Sequence, residues 1–170
     1  MNLDHEVERW VVAHRIGWLD WLFVGLSRIG SSGLVWIAIG FVFALHRRRP
    51  ETAVLVTGAA FAGILESSLL KAIIGRARPH DDPLVALPHT HSFPSGHAAS
   101  SFAAATVLAR LEPRFRVWFF LLAAAIAASR VYLGVHWPSD VLAGALLGTA
   151  TALLLLAGVR RARPRAPRTG

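Results

Sequence analysis

The apolar residues of this chain fall in long runs and do not alternate with polar ones. A helix that crosses a bilayer needs about 20 mostly apolar residues. Four runs meet or approach that length: about Ser31 to Leu45, Thr52 to Ile74, Phe115 to Ala128 and Val141 to Val159. A fifth, about Ala98 to Leu111, is shorter and rich in alanine, and it spans if it starts within Pro94–His97. Ahead of these runs, Leu3, Val7, Trp10 and Val11 recur near helical spacing with charges between them, which suits a helix lying on the membrane surface. Trp18 and Trp21 fit an interfacial aromatic belt. A short further span through Trp18 to Leu26 is the alternative to a plain amphipathic anchor, and the anchor is preferred. The pattern therefore predicts an all-α, integral membrane helical bundle with roughly five or six transmembrane helices, preceded by an amphipathic interfacial helix. Asp4, His5, Glu6, Glu8 and Arg9 interrupt any early apolar core, so the opening does not read as a cleaved signal peptide.

Composition agrees with this reading more than it decides it. The 170 residues suit one domain. The hydrophobic share is 54% and the mean hydropathy +0.49, against about 45–50% apolar in an ordinary soluble domain. The formal net charge of +8, from 18 Lys+Arg against 10 Asp+Glu, would raise a nucleic-acid hypothesis in a soluble chain. Here the basic residues sit at the ends of apolar runs, so they speak of membrane topology and no nucleic-acid partner is expected. Cysteine is absent, which excludes disulfides, thiolate metal sites and a cysteine nucleophile.

Charge placement orients the spans. His46-Arg47-Arg48-Arg49, then Arg110, Arg114 and Arg116, then Arg160, Arg161, Arg163, Arg165 and Arg168 all fall on one side if the spans alternate. The positive-inside rule makes that side cytoplasmic. The segments Gly75 to Pro94 and Arg130 to Ser139 then share the periplasmic or extracellular face of a multi-pass cell (inner) membrane protein. Residues 1–160 read as a single transmembrane domain. Residues 161–170 read as a basic, disordered cytoplasmic tail. No internal repeat is visible, and nothing in the sequence specifies an oligomeric state.

The face expected to be poor in basic residues carries most of the unusual polar ones. Lys71 ends the second clear span, followed by Arg76 and Arg78; Ser95, Gly96 and His97 open the third; Ser129 and Arg130 end the fourth; His136 and Asp140 open the fifth. Such a gathering suits a dianionic group. Phosphoryl transfer is catalysed largely by positioning and electrostatic stabilisation. Arginine donates bidentately to phosphate, and a helix N-terminus behind Ser95 and Gly96 offers free backbone N–H groups. Two histidines could divide the covalent work. A nucleophilic imidazole needs its far N–H held by an acceptor, and Asp140, four residues after His136, lies near the same helical face. Pro138 fits the first position of that helix, and His97 is placed to donate a proton.

Each feature has a plain structural alternative. Asp140 alone would be a helix cap, His97 an interfacial polar residue, and Lys71 and Arg130 snorkelling anchors. Arg76 reads as such an anchor and is left outside the site. These alternatives do not explain why all of the features gather on one face. A metal site built from His80, Asp81, Asp82, His89 and His91 is the minor reading of the loop Pro79 to Phe93. Glu66, inside a span, should face the bundle and pair with Ser67, Ser68, a cation or another helix.

These residues resemble a known family. Lys71-Ala-Ile-Ile-Gly-Arg-Ala-Arg78-Pro79, then Pro94-Ser95-Gly96-His97, then Ser129-Arg130 with His136 and Asp140 at the expected spacing are similar to the three signatures of the type 2 phosphatidic acid phosphatase superfamily. The resemblance covers Lys71 to Asp140 and points to the membrane branch, with an opening similar to bacterial polyprenyl (undecaprenyl) pyrophosphatases. It implies a cofactor-free, metal-independent two-step lipid phosphatase. His136 would be the nucleophile, oriented by Asp140, and His97 the acid and then the base. Lys71, Arg78, Ser95, Gly96 and Arg130 would bind phosphate. The implied partner is a phosphorylated membrane lipid: polyprenyl pyrophosphate first, phosphatidic acid or phosphatidylglycerophosphate otherwise. A transporter or binding protein for such a lipid, without turnover, is the competing class.

Overall fold

A computed structural model describes residues 3–162. Seven helices follow one another: α1 (Leu3–Ala13), α2 (Gly17–Gly30), α3 (Leu34–Arg47), α4 (Pro50–Ile74), α5 (Gly96–Leu111), α6 (Arg116–Tyr132) and α7 (Pro138–Ala162). No strand occurs among the described residues. The punctuation is local. Pro50 opens α4 and Pro138 opens α7, where a missing N–H costs nothing. Gly75 closes α4 in the left-handed conformation, its N–H donating to the carbonyl of Lys71 (3.1 Å).

The alanine-rich helix α5 lies at the centre, packed against α4, α6 and α7. Ala98, Ala99, Ala103, Ala104 and Ala105 are fully buried along it. Small side chains let backbones come close, which is how helices associate where lipid removes the usual hydrophobic drive. On α7, Gly144 and Gly148 take up the same closeness. A Cβ at Gly148 would lie 2.0 Å from the Ala99 carbonyl oxygen, and one at Gly144 2.4 Å from that of Ser95. Trp36 on α3 is fully buried and donates its indole N–H to Ser101 on α5 (3.0 Å).

Large apolar side chains point outward along the bundle. Val54, Phe61, Leu65, Leu69 and Ile73 make an exposed stripe on α4, and Leu142, Leu146, Leu153 and Leu154 another on α7. Lipid is the solvent in which such stripes are stable. By length and composition, three helical segments can cross a membrane: Pro50–Ile74, Pro113–Tyr132 and Pro138–Ala162. The pair α2 and α3, bent by 65°, makes a fourth if counted as one broken span. The sequence pattern anticipated five or six. The difference lies in α5, whose 16 residues rise only about 24 Å, and in α2 and α3, of 14 residues each, which reach a spanning length only as one bent pair. Leu3–Ala13 forms the expected amphipathic helix, and Trp18 to Leu26 lies within α2, a helix of 14 residues. Arg161 and Ala162 continue α7, and the remainder of the expected basic tail lies outside the described residues.

From α4 to α7 the chain reverses direction at each connection, so four helix ends meet at one end of the bundle: the C-termini of α4 and α6 and the N-termini of α5 and α7. The connection Gly75–Ser95 covers them. At the opposite end Arg47 grips Glu112 with two hydrogen bonds (3.0 and 2.7 Å).

Candidate active site

The centre of the site is His136, in the turn between α6 and α7, and its surroundings fix which nitrogen carries the proton. Arg78 Nη1 lies 3.1 Å from His136 Nε2. A guanidinium has only donors, so Nε2 accepts and carries a lone pair. The proton then sits on Nδ1, which donates to Asp140 Oδ2 (3.3 Å). Asp140 is fully buried at the first turn of α7. Its Oδ2 also accepts from the Trp137 backbone N–H (2.9 Å) and its Oδ1 from Arg76 Nη1 (2.7 Å). Burial pushes the His136 imidazole down to about 3, against the hydrogen bond to Asp140 that pulls the other way, and the charges of Arg78, Arg130 and Lys71 push it down further. The ring is neutral at ordinary pH, with its Nε2 lone pair on the side of the cations and facing Arg78.

Those cations are held mainly by backbone carbonyls. Lys71 Nζ donates to the carbonyls of His91 (3.1 Å), Ser92 (3.0 Å) and Pro94 (2.6 Å). Arg78 donates to the carbonyls of Thr90 (2.7 Å), Val135 (2.7 Å) and His91 (3.0 Å) and to the Thr90 hydroxyl (3.1 Å). Arg130, buried at the end of α6, donates to the Ser27 hydroxyl of α2.

Ser95 and Gly96 start α5, and the Ser95 N–H donates to the Asp140 carbonyl (2.9 Å), tying the starts of α5 and α7 together. The Ser95 hydroxyl does not cap α5. It is buried without a hydrogen-bond partner among the described residues, as is Arg130 Nε. Buried polar atoms are normally satisfied, and these two are a donor pair suited to an anion. A Cβ on Gly96 would press on Ser67 Oγ at 3.0 Å, so a larger residue would disturb the packing of α5 on α4. His97 turns toward α2, with Nε2 3.3 Å from the Ser27 carbonyl and 3.4 Å from the Ser31 hydroxyl. Lys71, Arg78 and Arg130 lie within electrostatic reach of it.

The structure thus gathers Lys71, Arg78, Ser95, Gly96, His97, Arg130, His136 and Asp140 at one end of the bundle. It also brings in residues that the sequence reading left out. Arg76 is no free anchor: it pairs with Asp140 (2.7 Å) and with Asp4 of α1 (2.7 Å). Its place in a run of two arginines just past a helix end was the only sequence signal. Asp4, Ser27 and Thr90 carried none, because each reaches the site from a distant stretch of chain. In the loop Pro79 to Phe93, no three His, Asp or Glu side chains converge among the described residues. Glu66 accepts from the Thr151 hydroxyl of α7, another helix, as one of the expected alternatives had it.

A helical membrane bundle with a cation-lined, histidine-centred anion site defines a class: a membrane phosphoryl-transfer enzyme built on apposed helix ends. The PAP2 superfamily model matches residues 51–164. Decaprenylphosphoryl-5-phosphoribose phosphatase of Mycobacterium tuberculosis is 37% identical over 150 residues, 83% of this chain and 82% of that protein. Undecaprenyl-diphosphatase of Sulfolobus acidocaldarius is 31% identical over 159 residues, 87% of this chain and 75% of that protein. The crystal structure of Aquifex aeolicus LpxE superimposes with a TM-score of 0.80 at 30% identity, over 92% of this chain and 96% of that one. The chain belongs to the PAP2 superfamily.

Proposed function

We propose that this chain is a single-domain membrane lipid phosphatase that hydrolyses a polyprenyl-linked phosphate, through a phosphohistidine formed on His136. The observation that carries the proposal is the pair of contacts on the His136 ring, Arg78 at Nε2 and Asp140 at Nδ1. Together they present a neutral nucleophile beside cationic donors. In the first step the Nε2 lone pair attacks phosphorus and the bond to the leaving oxygen breaks. Lys71, Arg78, Arg130, Ser95 and the N–H groups behind Gly96 hold the equatorial oxygens. Asp140 stabilises the Nδ1 proton as positive charge grows on the ring. His97 protonates the leaving oxygen. In the second step His97 takes a proton from water, whose oxygen attacks phosphorus and releases His136.

Polyprenyl carriers are favoured because two of the relatives with high coverage are named for them. Phosphatidylglycerophosphate is the next candidate, from the name of a further relative. The charge pattern of the loops supports an active site on the periplasmic or extracellular side of the cell membrane.

The test is phosphate release by purified protein in detergent, without added divalent metal. The panel is a polyprenyl pyrophosphate, a polyprenyl phosphosugar, phosphatidic acid and phosphatidylglycerophosphate. A preference of tenfold or more, about 1.4 kcal/mol in the transition state, assigns the lipid. Quenching with labelled substrate should trap phosphate on the wild type and none on His136→Ala. Binding without trapping or release would make the chain a lipid-phosphate carrier instead.

A further inference from the structure

We propose that Asp4 and Arg76 are positioning residues for the reaction, so that the amino-terminal helix is a working part of the catalytic site as well as a membrane anchor. The proposal rests on the phosphatase reading above. Asp140 must present one oxygen to His136 Nδ1 through each turnover, and it sits fully buried. Its two oxygens are divided. Oδ2 serves His136 and the Trp137 N–H, while Oδ1 is held by Arg76 Nη1 at 2.7 Å. Without Arg76 that second oxygen would keep a full charge in a buried place with no other donor among the described residues, and the carboxylate could turn away from the imidazole.

Arg76 is itself held. Nη1 also donates to the Ser139 hydroxyl (2.7 Å), and Nη2 donates to Asp4 Oδ2 (2.7 Å). Asp4 Oδ1 accepts the Ser139 backbone N–H (2.9 Å), and the Ser139 hydroxyl donates to Asp4 Oδ2. The chain of contacts runs Asp4, Arg76, Asp140, His136, from the first turn of α1 to the nucleophile. Arg76 also lies over the Trp137 ring (5.7 Å), which packs on His5 of α1 (4.2 Å) and donates its indole N–H to the Ala77 carbonyl (2.9 Å). At the far end of α1, Arg15 donates to the Tyr132 carbonyl (2.8 Å) and the Asp82 carbonyl (2.6 Å). So α1 is fastened at both ends to the segments that carry His136 and Arg78. A surface anchor needs none of these bonds. A planar fork spanning two carboxylates is a task for arginine that lysine does only in part.

The experiment measures single-turnover phosphohistidine formation per competent site, with burst amplitude as the site count, in wild type, Arg76→Gln, Arg76→Lys, Asp4→Asn and the double variant Asp4→Asn/Arg76→Gln. Arg76→Gln should slow phosphorylation about a hundredfold, the scale of a misplaced catalytic group, and leave KM within about threefold. Arg76→Lys should recover about a tenth or more of the wild-type rate. Asp4→Asn should slow the same step about tenfold, and the double variant should match Arg76→Gln, because both act through one carboxylate. A merely structural role predicts smaller bursts with a normal rate per site, and that result overturns the proposal. So does a double variant in which the two losses multiply. If the wild type forms no phosphohistidine, the phosphatase reading has failed. Orthovanadate affinity by calorimetry then decides this proposal alone: weaker binding in Arg76→Gln and Asp4→Asn supports it, and unchanged binding overturns it.

Discussion

Replacing Gly148 by alanine should damage both the stability and the chemistry of this protein, although position 148 lies well down α7 from the site. The new Cβ would sit 2.0 Å from the Ala99 carbonyl oxygen, 2.8 Å from its carbonyl carbon and 3.0 Å from the Ala103 nitrogen. Ordinary contact begins at 3.4 Å, and all three neighbours are backbone, so no side chain can turn aside. The helices α5 and α7 must part locally by about 1.4 Å or bend. Overpacking of this kind costs about 3 kcal/mol at its upper range. Alanine returns about 1 kcal/mol of helix propensity, which leaves a net loss of about 2 kcal/mol. The displacement also reaches the site. One turn nearer, Gly144 already rides on the Ser95 carbonyl, and Ser95 bonds the start of α7 through Asp140. Prying α5 from α7 moves Ser95, Gly96 and His97 away from His136, and a shift near 1 Å can cost about a hundredfold in kcat. The assay is reversible unfolding in detergent beside steady-state kinetics, with Gly58→Ala as the control. A Cβ at Gly58 meets nothing within 4 Å, so that variant should gain up to about 1 kcal/mol and keep its rate. Equal stability and equal kcat for the two alanine variants would refute the close-packing argument.

Asp140→Asn keeps the shape but places an NH₂ either against the Trp137 N–H or against Arg76, and it weakens the acceptor at His136 Nδ1. With a charged hydrogen bond contributing about 3 kcal/mol, phosphohistidine formation should fall about a hundredfold by rapid quench; a loss under threefold would count against the assigned tautomer. Because burial holds His136 near 3, against about 6.5 in an unfolded chain, the unfolded state binds the extra proton first as pH falls. Stability should therefore decline from about pH 6.5 toward pH 3 and stay level in this respect above it. Unfolding midpoints across that range should show a shallower slope in His136→Gln, and an unchanged slope would contradict the neutral buried ring. Chelation with EDTA should leave phosphate release within about twofold, whereas loss of activity restored by a divalent metal would demand a metal-assisted mechanism.

How much of this was legible beforehand differs by kind of evidence. The apolar runs located α4, α6 and α7 to within a few residues, because a bilayer imposes a length that a sequence displays directly. Ala98 to Leu111 was harder. Its alanines make a weak hydropathy signal, yet in the fold they make α5 the most enclosed helix, since smallness serves packing. The run Ser31 to Leu45 matches α3 to within a few residues, but an apolar run does not reveal the bend at which α3 meets α2. The pairing of His136 with Asp140 could be read from a four-residue spacing. Asp4 could not be matched to Arg76, since the contact crosses 72 positions of sequence. Nor could Ser27 be matched to Arg130 and His97.

The two arginines of Arg76-Ala77-Arg78 show why residue type alone could not separate their tasks. Arg76 is bonded to two carboxylates, Asp4 and Asp140, so its charge is spent within the protein and its fork becomes a strut. Arg78 is bonded to the carbonyls of Thr90, His91 and Val135 and forms no ion pair among the described residues. Carbonyl dipoles fix its direction without cancelling its charge, and they do the same for Lys71. A site for a phosphoryl dianion needs cations that are rigid yet still uncompensated, because compensation inside the protein would weaken them just where transition-state charge develops. The loop Gly75–Ser95 supplies this by turning its backbone oxygens inward. Asp140, which could have neutralised the site, has its two oxygens divided between His136 and Arg76. The strut and the anion donors are therefore one arrangement, and an exchange of roles between the two arginines would lose both.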